Sequence, residues 1–166
     1  LESQKAPRLG LVRQYFFDYA DKEMRDHTES VVECLRQAGA EVKEIELPSS
    51  FPDIPASGRT IMAVEAATYH QEMFANYKNQ YGTEIGKLIE NGLNISATEY
   101  ARTLQTRLQQ YSDIAPLLQN VDALLTPGAS GAAPYGLTTT GNPVMQEPWT
   151  MMGVPTISLP TGLSKD

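Results

Sequence analysis

Strand, helix and strand follow one another within the first fifty residues, and that order restricts the fold more than any other feature of the chain. Residues 9–12 (Leu-Gly-Leu-Val) form a short apolar run with β character. Asp21 can cap a helix over residues 22–38, with Glu23 in the first turn, where an acid complements the positive helix end. Met24, Thr28, Val31 and Leu35 recur at helical spacing, and Gly39 is a fitting stop. Residues 40–47 then read as a second strand whose charge density and broken alternation suit a sheet edge. Two strands joined by one helix should run parallel, with a right-handed crossover. The expected fold class is therefore α/β, a few mainly parallel strands flanked by helices.

The middle of the chain is helical by pattern. Residues 48–55 hold three prolines and two serines and read as a loop. Residues 59–81 carry Ile61, Val64 and Thr68 on one face, and a short helix over 83–91 stops at Gly92. Ser96-Ala-Thr-Glu99 is a capping box, and Tyr100, Leu104, Leu108, Tyr111 and Ala115 continue its helix until Pro116.

The composition then changes, since residues 127–162 contain six of the 12 Gly and six of the 11 Pro. Asp122-Ala-Leu-Leu-Thr-Pro127 reads as a short strand. Residues 127–148 form a long Gly/Pro-rich loop of the length that compact domains keep for function. The run from Pro148 to Gly162 suggests a second short strand, and the three pieces together suit a pocket wall. At 166 residues, the chain is expected to be a single α/β unit.

Charge and cysteine content narrow the function. A net charge of -7 argues against nucleic acid and against an anionic membrane surface, both of which need clustered Lys and Arg. No apolar run is long enough to span a bilayer, and the N-terminus lacks the apolar core of a secretory signal. One cysteine excludes an internal disulfide and a multi-cysteine zinc cluster, so a cytoplasmic, reducing setting is expected. Cys34, in a helical pattern beside Leu35, is expected to be a small buried residue. Two histidines without a matching carboxylate pattern predict no metal site.

Three pieces carry a resemblance. Leu9-Gly-Leu-Val-Arg13 with Ala38-Gly-Ala-Glu-Val42 is the first, and Glu65-Ala-Ala-Thr-Tyr-His70 with Ile95-Ser-Ala-Thr-Glu-Tyr100 the second. The third and most specific is Thr140-Gly-Asn-Pro143 followed by Pro148-Trp-Thr150 and Gly153-Val-Pro155. In this order they resemble the C-terminal portion of the amidase signature enzymes. The resemblance implies part of a larger three-layer α/β/α fold. It also implies hydrolysis of a small-molecule carboxamide to carboxylate and ammonia or amine, through an acyl-serine intermediate, with no metal or organic cofactor. Those enzymes use a Lys, a bridging Ser and a nucleophilic Ser in a Gly-Gly-Ser-Ser-Gly-type run, in which the glycine N–H groups stabilise the oxyanion.

None of that triad maps onto this sequence. The only Ser-Ser pair, Ser49-Ser50, has no glycine beside it, and the six lysines lie in polar contexts. The chain is therefore expected to be inactive alone, with the catalytic N-terminal half of the fold as its partner. A sheet that continues elsewhere would expose an apolar face or an open edge and favour self-association. The other reading is a stand-alone, non-catalytic α/β domain that binds a ligand or a partner.

Individual residues divide in the same way. No catalytic residue is assigned. Under the resemblance, Asn142, Met145, Trp149 and Met152 line the substrate pocket; as ordinary residues, the tryptophan and the methionines belong to the core. The family often has Asp at the Asn142 position and Asn at that of Gln146. Ser130 lies in Gly128-Ala-Ser-Gly131, which imitates a nucleophile turn without being Gly-x-Ser-x-Gly, and reads as a flexible loop residue. His27, on a charged face, reads as solvated, and His70 as a packing residue.

Overall fold

The computed structural model describes residues 5–163. Three short strands, β1 (Arg8–Leu11), β2 (Glu41–Glu44) and β3 (Ala123–Leu125), form a parallel sheet in the order β2-β1-β3. Leu9 is level with Val42 on one side and with Ala123 on the other. The charged second strand holds the edge position that its sequence suggests. Gly10 lies at the centre of the sheet because a Cβ there would fall 2.6 Å from Ile45 Cγ1 and 2.9 Å from Leu124 Cδ2.

Two arginines fasten this small sheet. The Arg8 guanidinium donates to Asp122 Oδ1 at 2.7 Å, and the Arg8 backbone N–H donates to Oδ2 at 2.8 Å, tying the start of β1 to that of β3. Arg13 forks onto Glu29 at 2.7 and 2.9 Å and reaches Glu44 at 2.9 Å, joining the end of β1 to α2 (Lys22–Gln37) and β2. The Glu29 carboxyl is held below the ordinary glutamate value, mainly by its bond from Arg13.

A four-residue helix, α1 (Phe16–Tyr19), precedes α2. Asp21 caps α2 by accepting from the Met24 N–H at 2.7 Å, and Gly39 takes the left-handed conformation (φ 94°) that ends it. Thr28 and Val32 are buried. Cys34 is exposed, which corrects its expected burial: two residues beyond Val32, it points to the opposite side of a 3.6-residue helix.

The helical layer contains α3 (Ile54–Tyr77), α4 (Thr83–Asn94) and α5 (Ala97–Ile114). The third helix begins at Ile54, five residues before the sequence pattern suggests, because Pro55 sits in the first turn, where its missing N–H costs nothing. Gly92 lets α4 lie against α3, since a Cβ there would fall 2.0 Å from the Ala63 carbonyl oxygen. Ser96 Oγ caps α5 by accepting from the Glu99 N–H at 3.1 Å, and Pro116 follows its end within a 3-10 turn, Ala115–Leu118.

Regular structure resumes within the 127–148 stretch at a 3-10 turn, Pro143–Met145, and at α6 (Glu147–Met152). The expected strand after Pro148 does not form among the described residues. Pro148 instead enters the first turn of α6, and Gly153 (φ 71°) closes that helix. Residues 154–163 continue without ladder bonds, Ile157 being 81% exposed. Pro155 and Pro160 have no N–H to donate, and no neighbouring strand lies beside this segment among the described residues.

The main core gathers Val12, Phe16, Phe51, Ile54, Ile114, Val144, Met145, Trp149 and Met152. A smaller cluster of Ala67, Phe74 and Ile89 seals α3 against α4.

Candidate functional site

A cleft of about 620 Å³ opens beyond the carboxyl end of β1, between α1, residues 47–55 and residues 142–147. The carboxyl ends of parallel strands are where open α/β sheets place their ligands.

The cleft is built around an unusual turn. Tyr15 has φ 67° and ψ -58°, and the Phe16 N–H donates to the Gln14 carbonyl at 2.7 Å across it. This is the γ-turn of the strained kind, in a region that residues with side chains rarely occupy. Surrounding contacts hold it in place. The Tyr15 ring meets Phe16 and Phe51 edge to face at 5.2 and 5.3 Å and Tyr19 at 4.9 Å, while Gln14 Oε1 accepts from the Leu47 N–H at 2.6 Å. Burial pushes the Tyr15 hydroxyl above its ordinary pKa, reinforced by Tyr19 and Glu147 and opposed by Arg59. At neutral pH it is therefore protonated and able to donate.

The far wall carries charge. Arg59 of α3 pairs with Glu147 at 2.8 Å, and the Glu147 side chain is only 13% exposed. Glu147 opens α6, where its charge suits the helix end. Asn142 caps the preceding 3-10 turn by accepting from the Val144 N–H at 3.1 Å. Gln146 Nε2 donates to the Gly128 carbonyl, tying this wall to the start of the long loop.

The four residues singled out from the sequence fall into two positions. Asn142 is exposed and lines the cleft. Met145, Trp149 and Met152 lie in the core cluster below it. Trp149 rests against Phe16 and Phe51, so it supports the aromatic floor from beneath. Sequence reasoning missed Tyr15, Asp18, Tyr19, Arg59 and Glu147. The signal was Gln14-Tyr-Phe-Phe-Asp-Tyr19, an aromatic run with an acid immediately after a central strand.

Serine chemistry finds no completed arrangement in the described residues. Ser50 donates to Asp113 Oδ2 at 2.8 Å. Ser130 Oγ is buried without a hydrogen-bond partner, and the Ser130 carbonyl accepts from the Asp21 N–H at 2.7 Å. His70 Nδ1 is 3.0 Å from the Tyr81 hydroxyl, the packing role expected of it. His27, read as solvated, instead meets Thr161 Oγ1 at 2.8 Å through Nε2. Lys22, Lys43, Lys78 and Lys87 are engaged in surface ion pairs. Among the described residues no serine hydroxyl is hydrogen-bonded to a lysine amine or a histidine ring, and no three metal-ligating side chains cluster. No helix among them is long and apolar enough to cross a membrane.

The family profile described as Amidase matches residues 1–166. The chain belongs to the amidase family. An amidase of Pseudomonas putida is 28% identical over 98% of the chain and 37% of its own length. A glutamyl-tRNA(Gln) amidotransferase subunit of Granulibacter bethesdensis is 29% identical over 96% of the chain and 38% of its own length. A crystal structure of an amidase superposes with a TM-score of 0.81 at 20% identity, covering 96% of this chain and 40% of that one. The chain thus spans about two-fifths of the length of these amidase-family relatives, and its mixed α/β fold matches that of the solved amidase over 96% of this chain.

Proposed function

We propose that these residues form the substrate-binding side of a carboxamide hydrolase that works through an acyl-serine intermediate. The observation that carries this reading is the cleft beyond β1, built on an amidase-family fold and walled by the turn at Asn142. The protonated Tyr15 hydroxyl and the Asn142 amide supply polar groups for an amide. Met145, Trp149 and Met152 set the shape of the floor, and the 127–148 stretch borders the mouth through Asn142, Val144 and Glu147. The nucleophile and its lysine come from a segment outside these 166 residues, which is the chain's principal partner in a cytoplasmic enzyme. The open edge of β3 and the exposed Ile157 and Leu159 are surfaces for that segment, or for self-association in its absence.

The test is intact-mass spectrometry of the purified chain after exposure to a reactive fluorophosphonate, with amide turnover measured in parallel. An unmodified mass and no turnover of aliphatic or aryl amides are the expected results. A stoichiometric adduct on any serine would overturn the assignment of the nucleophile to another segment.

A second reading, a non-catalytic ligand-binding domain, uses the same cleft without the hydrolytic step. The coding sequence upstream of Leu1 separates the two readings. A lysine followed by a Gly-Gly-Ser-Ser-Gly-like run supports the hydrolase, and their absence supports the binding domain.

A further inference from the structure

The charge and the rings of the cleft point to a ligand class. We propose that the cleft takes an arylalkyl ammonium group, with its aromatic ring against Tyr15 and Tyr19 and its cation facing Asp18. This rests on the cleft being a ligand site, but not on the chemistry that follows binding.

The walls decide the shape. Tyr15 is fixed by the γ-turn and by three ring contacts, and Phe51 is fully buried behind it. Pro48, Pro52 and Pro55 also line the cleft and have little freedom to rearrange. Rigid aromatic and proline walls around about 620 Å³ match the size of ordinary small-molecule sites and suit a flat ring.

The lining charges decide the sign. Among the described residues, Asp18, Glu147 and Arg59 are the charged ones lining the cleft, so one positive charge stands against two negative ones, for a net of -1. Arg59 is already neutralised by Glu147 at 2.8 Å, and among the described residues no lysine or histidine lines the cleft. A carboxylate ligand would find only the Arg59 donors that Glu147 leaves, and would stand against the like charges of Asp18 and Glu147. A cation meets Asp18 and the electron-rich faces of two tyrosines without breaking any bond.

Calorimetric titration of the 166-residue chain at low salt with three probes of one ring size tests this. They are benzylamine, benzyl alcohol and benzoate, positive, neutral and negative at neutral pH. Benzylamine should bind about tenfold tighter than benzyl alcohol, the combined effect of ring-face attraction and one exposed counter-charge, and benzoate should bind weakest. Asp18→Asn should reduce benzylamine to the level of benzyl alcohol and leave the alcohol unchanged. Glu33→Gln, an equal charge change on exposed α2, should leave all three affinities as they were. Equal binding of amine and alcohol, tighter binding of benzoate, or the same effect from Glu33→Gln as from Asp18→Asn would overturn the charge assignment while the cleft stands as a ligand site. Absence of binding by all three would overturn both.

Discussion

The indole of Trp149 lies parallel to the ring of Phe16, with centroids 5.4 Å apart and 5° between the planes. Phe16 is also the residue whose N–H closes the Tyr15 γ-turn, so α6 and the strained turn share one stack. Truncation of this buried side chain, Trp149→Ala, should cost about 3–5 kcal/mol, the range for large aromatic deletions. Urea midpoints followed by circular dichroism read the loss. A change below about 1 kcal/mol would mean that the stack is not a support.

Two glycines of α4 should respond in opposite ways to the same substitution. Gly92→Ala drives a methyl into the Ala63 backbone oxygen, and overpacking of this kind costs about 1–3 kcal/mol or more. Gly86→Ala meets nothing closer than 3.8 Å, at Phe74, and should gain up to about 1 kcal/mol from helix propensity. Thermal unfolding of the two variants side by side checks both signs.

Acid should weaken the junction of β1 and β3. The Asp122 carboxyl is held below its ordinary value, first by the Arg8 side chain and then by the Arg8 backbone N–H. A carboxyl lowered on folding stabilises the protein fully above its unfolded value, near pH 3.9, and loses that contribution as pH falls through the lowered folded value. Asp122→Asn should therefore flatten stability against pH on the acid side of about pH 4, as followed by urea midpoints. An acid limb unchanged from wild type would contradict the assignment.

Asp21 serves both a helix and a loop. Its carboxylate caps α2, its N–H holds the Ser130 carbonyl, and a Cβ on Gly131 would come within 2.1 Å of Oδ2. Asp21→Ala should cost about 1 kcal/mol, the usual worth of a cap, and leave proteolysis between Gly128 and Asn142 unchanged, because the backbone N–H that holds Ser130 is retained. Asp21→Asn should keep both properties near wild type, since asparagine caps equally well.

What was legible in the sequence follows the range of the forces involved. The cap at Asp21, the stop at Gly39 and the edge character of β2 are local signals, and each element lies near its expected place. The start of α3 lies earlier than its pattern suggests because a proline reads as a breaker unless its position in the turn is known. The run after Pro148 reads as a short strand because it is apolar and bounded by prolines. A strand also requires a neighbour, which local sequence does not contain. Asn142 can be picked out from its motif, whereas the pairing of Arg59 with Glu147 joins residues 88 positions apart, and no local pattern announces it.

The central strand acquires its two neighbours at very different times. Residues 8–11 can pair with residues 41–44 as soon as the intervening helix has formed, whereas the Arg8–Asp122 contact spans 114 residues. Closing so long a loop is slow, because its entropy must be lost before the contact contributes. While the chain is being made, one side of β1 therefore remains unpaired until the helices are complete and β3 arrives. That interval is when the nascent chain is most open to mispairing and to capture by chaperones.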